Sequence, residues 1–469
     1  MGHARSFLVN FTFLAAGDLA AKALAFWAFA HIARVVGTEL FGDLAFAVAF
    51  TLYFGLIVSQ GLDIYGIQEL ARDRSRVAAY TANILGLRLV SSLVAATALL
   101  ITVSLLAKPV PVKTLVLLYG LTLISSVFSL QWVFQAFEKM KFVAAANVLG
   151  QLVFSALALI FLQRASQFLW IPVFQVTGEI VSTLFLLFHF RRDFGPVRFN
   201  FNLSAWSGIL KDSLPMGLSS VFTLIMINFD MVLLGFLKPA SDVGQYSAAY
   251  KVINFFSSFV LLYNRNLLPA VSRCKGNPSM LRHISERTQK YILLLSLPLA
   301  VGGAMVSLPL IRLIFGSRFS EGATALAILI WIVPMTSSRV LYRVTLLSHG
   351  LQHYNLMVSL AAVLVNVTLN CLLIPRYSYV GSAVATVISE LLLLCLTYGG
   401  VTRKVTALPL LGYLWKPVVA SMAMAAFLYW CREAGLAVRI PGGFMIYMLA
   451  GLALRAFSFK EIREILGWQ

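Results

Sequence analysis

The chain has 469 residues, 60% of them hydrophobic and 12% charged, with a net charge of +19. This balance excludes a water-soluble globular domain. The positive charge does not indicate nucleic-acid binding. With the amino terminus placed inside, 17 Lys/Arg fall on the tails and loops of that side, seven on the opposite side and 13 within the apolar spans. This is the positive-inside bias of a multi-pass membrane protein.

The pattern predicts an all-α polytopic protein with 14 spans, at 10–33, 42–62, 77–104, 112–136, 142–163, 169–190, 211–237, 244–268, 289–313, 323–348, 354–374, 379–402, 411–431 and 436–457. Each is close to the 20 or so residues that cross the hydrocarbon. The first span is long enough to remain as an anchor, so no cleaved signal is expected. The longest loops, 191–210 and 269–288, are too short for a soluble domain. Both termini are expected on the cytoplasmic side of the cell (inner) membrane, with basic loops such as 63–76 and 269–290 facing the same way.

Nineteen charged residues fall within these bounds, 13 basic and six acidic, and twelve of them, eight basic and four acidic, are candidates for roles inside the membrane. A charge in hydrocarbon is costly and persists by facing a partner, a cavity or a substrate. In span 1, Asp18 and Lys22 are four apart on one helical face, which suits an internal ion pair or a cavity lining. Arg88 in span 3 has no acid within a helical turn and is predicted to be a cavity cation. Asp230 and Lys251, at matching depths in spans 7 and 8, are predicted as a structural pair. Arg265, Arg312 and Lys416 lie near span ends and are predicted to snorkel. Arg339 and Arg343 share a face of span 10, and their planar forks suit phosphate. Glu179 and Glu390 sit mid-helix in spans 6 and 12. Each is either protonated and hydrogen-bonded to a neighbour or, with Asp18, a candidate for ion coupling.

Some chemistry is missing from the pattern. No Gly-Lys dipeptide exists to build a Walker A loop. The six histidines make no zinc pattern, and Cys274, Cys371, Cys395 and Cys431 show no metal spacing. No cofactor or metal is expected.

An internal repeat is present. Gly42 aligns with Gly244 at an offset of 202, and Val176-Thr-Gly-Glu179 aligns with Val387-Ile-Ser-Glu390 at an offset of 211. Two six-helix lobes, 1–200 and 201–402, are expected around a central cavity. An additional helix pair and cytoplasmic tail follow at 403–469. Parallel repeats of this kind suit alternating access.

Four segments carry a family resemblance. Ala33-Arg34-Val-Val-Gly37 with Phe41-Gly42-Asp-Leu-Ala-Phe-Ala47 resembles the ARxLG…FGxYxFA segment of polysaccharide and O-antigen (Wzx-type) flippases. Phe134-Gln-Ala-Phe-Glu138-Lys-Met140 resembles that family's FQGxExM turn. Asp230-Met-Val-Leu-Leu-Gly235 with Val243-Gly-Gln-Tyr-Ser-Ala-Ala-Tyr-Lys251 is similar to DxxxLG…VGxYSxAYK. Asn366-Val-Thr-Leu-Asn370, Leu373-Ile-Pro375 and Gly381-Ser-Ala-Val-Ala-Thr386 are similar to NxxLNxxLIPxxGxxGAAxAT. The chain departs from the pattern at Val36, where leucine is usual, and at Ser378-Tyr379, where a glycine is usual.

The resemblance implies the multidrug/oligosaccharidyl-lipid/polysaccharide exporter fold and a lipid-linked oligosaccharide as cargo, typically on undecaprenyl pyrophosphate. The expected protein is therefore a monomeric, non-enzymatic flippase for surface polysaccharide synthesis. Its expected partners are the lipid-linked oligosaccharide, membrane lipids and glycan polymerase or glycosyltransferases. Arg339, Arg343, Arg88 and Lys22 are the expected cationic substrate site. Two rival readings are a cation-coupled multidrug antiporter of the same fold and a membrane oligosaccharide polymerase or ligase. The excess of cations over acids argues against the antiporter, and the lack of a long outer loop against the enzyme.

Overall fold

The computed structural model describes residues 2–264, 277–406 and 411–456, with a few single residues between 265 and 276, and side chains from Gly17 onward. Every regular element among these residues is a helix. The chain divides into two compact units, Met1–Ser247 and Ala248–Gln469.

The first unit holds α1 (Gly2–Ser59), α2 (Leu62–Arg72), α3 (Val77–Leu105), α4 (Val110–Ser125), α5 (Gln131–Ala136), α6 (Met140–Phe161), α7 (Trp170–Phe194) and α8 (Leu203–Leu237). Helix α9 (Ala240–Asn264) begins in this unit and runs into the second. The second unit continues with α10 (Pro278–Met305), α11 (Ser307–Phe315), α12 (Gly322–Leu329), α13 (Ile332–Ser348), α14 (Gln352–Lys404), α15 (Leu411–Trp430) and α16 (Leu436–Ala453).

Among the described residues, nine helices are long and apolar enough to cross a membrane, or ten if the bent pair α10–α11 counts as one span. Two of the nine, Gly17–Arg72 and Gln352–Lys404, run 56 and 53 residues. At 1.5 Å per residue each is about 80 Å long, enough for two crossings of a 30 Å core. Besides the break at Gln60–Gly61 between α1 and α2, each contains a kink at a non-helical residue. These are Gly37 (φ 79°, ψ −179°) and Ser378 (φ 49°, ψ −136°). Only glycine adopts the first conformation without strain. Helix α9, which carries Asp242, Gln245, Lys251 and Asn254, does not pass the same test, and among the described residues α15 contributes the shorter apolar helix Leu414–Trp430.

Small residues bring the helices of the first unit together. A Cβ on Gly150 would lie 2.8 Å from the Gly178 carbonyl, so α6 and α7 cross backbone to backbone. A Cβ on Gly42 would run into the carbonyl of Ala240, and one on Gly244 into that of Thr38. The two glycines matched by the sequence repeat therefore meet each other. At the basic-loop end, Trp132, Phe134, Leu62, Leu70 and Ile84 form a buried cluster. The segment 63–76, expected as a loop, is mostly the amphipathic helix α2, which buries Leu62, Tyr65, Gly66 and Leu70. The second expected loop, 269–288, is helical from Pro278, where Asn277 caps α10 by accepting from Met280 N–H at 3.0 Å.

The turn at Phe134–Met140 owes its shape to Glu138, whose φ is 58°. Lys139 N–H donates to the Phe134 carbonyl at 2.8 Å and Glu138 N–H to Gln135 at 3.0 Å. This is a Schellman-type helix end. It aims Lys139 at Asp193 Oδ2, 2.6 Å away at the end of α7.

Candidate functional site

A cavity of about 650 Å³ opens inside the first unit, between α1, α3, α4, α6 and α7. Its lining is polar for a membrane interior. Asp18, Asp63, Arg88 and Glu179 face it, together with hydroxyls such as Thr51 and Ser125 and amides such as Gln151 and Gln175.

Arg88 does line this cavity, but it is not the unpaired cation expected from its own helix. Its Nη2 donates to Asp63 Oδ1 at 2.7 Å and its Nη1 to the Ser129 carbonyl at 2.9 Å. Asp63 had been assigned to a loop. It sits instead in the first turn of α2, where the helix dipole also favours an acid. Arg88 is 2% exposed, and its Nε has no hydrogen-bond partner. A buried guanidinium held this way is an anchor more than a free substrate contact.

Lys22 Nζ lies 3.2 Å from Asp18 Oδ2, the i,i+4 ion pair expected. Asp18 faces the cavity while Lys22 is exposed and outside its lining. Glu179 accepts from Ser125 Oγ at 2.6 Å and has no ion-pair partner among the described residues.

The second unit carries the related contact. Thr336 Oγ1 on α13 donates to Glu390 Oε1 on α14 at 2.8 Å. The sequence separation is 54 residues in both contacts, and each residue of the second lies 211 beyond its counterpart. The two units differ in what surrounds this shared pair. Arg339 Nε donates to Glu390 Oε1 at 2.6 Å, whereas the residue 211 positions before Arg339 is Phe128.

Arg339 and Glu390, expected as a phosphate contact and a coupling group respectively, are thus each other's partner. The sequence placed no acid near Arg339 because its partner is 51 residues away on the next helix. Arg343, one turn further, is exposed and has no ion-pair or hydrogen-bond partner among the described residues. The expected excess of free cations is therefore much reduced, because Lys22, Arg88 and Arg339 all have acids.

Asp230 is 2% exposed and accepts from the Tyr246 hydroxyl and from Met231 N–H. Its expected partner, Lys251, is half-buried in the part of α9 that belongs to the second unit. Arg312 donates to Ser320 Oγ at 2.9 Å and Lys416 to the Arg455 carbonyl at 3.0 Å, both exposed near helix ends. Arg265 lies outside the described residues. Sequence reading passed over Arg439, which is buried in α16 and donates from Nη2 to the Met305 carbonyl at 3.0 Å, capping the end of α10.

Residues 7–275, more than half of the chain, match the polysaccharide biosynthesis protein family. The chain belongs to that family. Residues 215–372 also match the MatE family. Among curated relatives of this polysaccharide biosynthesis protein, the "Probable flippase AglR" of Haloferax volcanii is 24% identical over 50% of this chain and 50% of its own length. The "Putative O-antigen transporter" of Escherichia coli is 22% identical over 52% of this chain and 60% of its own. The matched region thus spans about half of these relatives. The fold is that of the lipid II flippase MurJ in an inward closed conformation, with TM-score 0.76, 14% identity and coverage of 94% of this chain and 98% of MurJ. An inward-facing MATE multidrug transporter has TM-score 0.62, 15% identity and coverage of 81% and 95%. The protein is an all-α, multi-pass membrane protein of the polysaccharide biosynthesis protein family.

Proposed function

We propose that the protein is a transporter, not an enzyme, and that it flips a lipid-phosphate-linked oligosaccharide from the cytoplasmic to the outer leaflet for surface polysaccharide synthesis. The observation that carries this reading is membership of the polysaccharide biosynthesis family combined with the MurJ fold over 94% of the chain. The relatives named as a flippase and O-antigen transporters point the same way.

In this reading the repeats 1–200 and 201–402 are the lobes that alternate access, with 403–469 as an added helix pair. The protein works as a monomer in the cytoplasmic membrane with both termini inside, near the polymerase or glycosyltransferases that make and use the glycan. Arg343, exposed and without a protein partner among the described residues, is the first contact for the cargo phosphate, and Arg339 lies one turn away. The polar cavity of the first unit offers hydroxyls, amides and carboxylates to the sugar. Glu179, with a hydroxyl but no cation beside it, is the better of the two glutamates for ion coupling. The inside-negative potential adds about 2.3 kcal/mol per charge per 100 mV for an anion moving outward.

The MatE match over residues 215–372 favours one second reading, a cation-coupled multidrug antiporter. Vesicles reconstituted with the purified protein separate the two. The flippase reading expects a labelled isoprenoid-diphosphate oligosaccharide to cross while a lipophilic cationic dye does not. Dye export without sugar-lipid movement would reverse that choice.

A further inference from the structure

The Arg339–Glu390 pair leaves part of each side chain unused. Arg339 engages Glu390 only through Nε, at 2.6 Å. Its two Nη nitrogens have no protein acceptor among the described residues, so one edge of the fork is open. Glu390 Oε1 takes both Arg339 and the Thr336 hydroxyl, while Oε2 has no protein donor among the described residues. The side chains are 18% and 9% exposed, which limits water yet allows access.

Resting on the phosphate-cargo reading above, we propose that the cargo phosphate takes Arg339 in exchange for Glu390, and that one proton is taken up onto Glu390 as it does. The phosphate approaches the open Nη edge, which can bind two oxygens in parallel. Bringing that anion beside an ionised Glu390 sets two negative charges on one guanidinium in a poorly solvated place. The repulsion is relieved when a proton from water forms an O–H bond at Oε2. The Arg339–Glu390 ion pair becomes an Arg339–phosphate ion pair and a neutral carboxyl, which keeps its hydrogen bond from Thr336.

The surroundings leave few other outcomes. Helix α12 carries no titratable side chain, and α13 contributes only Arg339, Arg343 and Tyr342 beyond its hydroxyls. Helix α10 reaches α13 through Gln289, whose amide donates to Ser338 Oγ at 2.7 Å, and it carries Arg287 and Lys290 beside that residue. Along α14 the other charged residues are Arg376, beside the break at Ser378, and Arg403 and Lys404 in the last turn. Arg343 is therefore the nearest cation that could receive a displaced, still ionised Glu390. The first unit supplies a contrast, since Ser125 and Glu179 make the same contact with Phe128 in the arginine's place. The hydroxyl–carboxylate contact thus stands without an arginine, and Arg339 adds something to it.

The test is titration calorimetry of the full chain in nanodiscs with farnesyl diphosphate as the probe. Two buffers of different ionisation enthalpy report the protons taken up per ligand. Glu390→Gln is the baseline, because it retains any protonation of the diphosphate itself. The wild type is expected to take up about one proton more than this variant at about pH 8, and Glu390→Gln to bind about tenfold more tightly there. Arg339→Gln is expected to lose binding. Equal proton counts in wild type and Glu390→Gln overturn the exchange, with Arg343 then receiving the carboxylate; if Arg339→Gln has also lost binding, the phosphate reading survives. Weaker binding by Glu390→Gln overturns the exchange too. Unchanged binding by Arg339→Gln removes both the exchange and Arg339 as a phosphate contact. Should Glu390→Gln fail to elute as a single species, Glu390→Asp replaces it. A shorter carboxylate holds Arg339 less well, so affinity is expected to rise with proton uptake retained, and a fall in affinity contradicts the proposal.

Discussion

Ser378 holds φ 49° in the middle of α14, where the related segment has glycine. A side chain in that region carries strain of order 1–3 kcal/mol. Ser378→Gly should therefore raise the melting temperature of the purified protein, in keeping with about 1 kcal/mol of relief. A lower melting temperature would mean that the serine side chain is doing something the backbone geometry does not reveal. A second residue gives a pH prediction. Asp193 is held below the usual carboxylate range, first by Lys139 and then by Arg192. A depressed folded-state value means that its stabilisation is present above the ordinary value of about 3.9 and is lost as pH falls below it. The gap in thermal stability between wild type and Asp193→Asn should be constant around neutrality and close in acid. A gap that widened in acid would contradict the ion pair. At this scale the sequence identified which residues carry charge but not which of them meet. Arg88 and Asp63 are 25 residues apart and Arg339 and Glu390 are 51 apart, so no helical-spacing rule could join them.

Among the elements, apolar run length was the readable signal, since backbone groups in hydrocarbon must be satisfied within a helix. The turns were less readable. Gly37 and Ser378 kink what is otherwise continuous helix, so the spans on either side merge into the single elements α1 and α14. Helix α2 was missed because its apolar positions are few and its charged face resembles a loop. Glycines decide how closely the elements pack. Gly178→Leu should separate α6 from α7, because a Cβ on Gly178 would lie 2.4 Å from the Gly150 carbonyl. A loss of several kcal/mol is the scale of overpacking combined with a displaced helix. Thermal unfolding in detergent checks it, and an unchanged midpoint would show that the helices can part freely.

Across the whole chain, the repeat is the feature most fully legible from residues alone. The offset of 211 that aligned Glu179 with Glu390 also aligns their hydroxyl partners, Ser125 and Thr336. The sequence could not show that one copy acquired an arginine and the other a phenylalanine at the matching position with this consequence. In the proposed reading that difference divides the work: Arg339 and Arg343 in the second unit for the phosphate, and the polar cavity with Glu179 in the first for sugar and coupling. It also narrows the expected excess of cations to Arg343 and the Arg339–Glu390 pair.

The measurement closest to this account is the flipping rate of a fluorescent isoprenoid-diphosphate oligosaccharide in vesicles holding wild type or Arg343→Ala, read with a quencher that cannot cross. The wild type should move the lipid much faster than protein-free vesicles. Loss of a charge-assisted contact of about 1.5–3 kcal/mol should slow Arg343→Ala by at least about tenfold. Equal rates for the two proteins, or a wild-type rate no faster than bare lipid, would contradict the account.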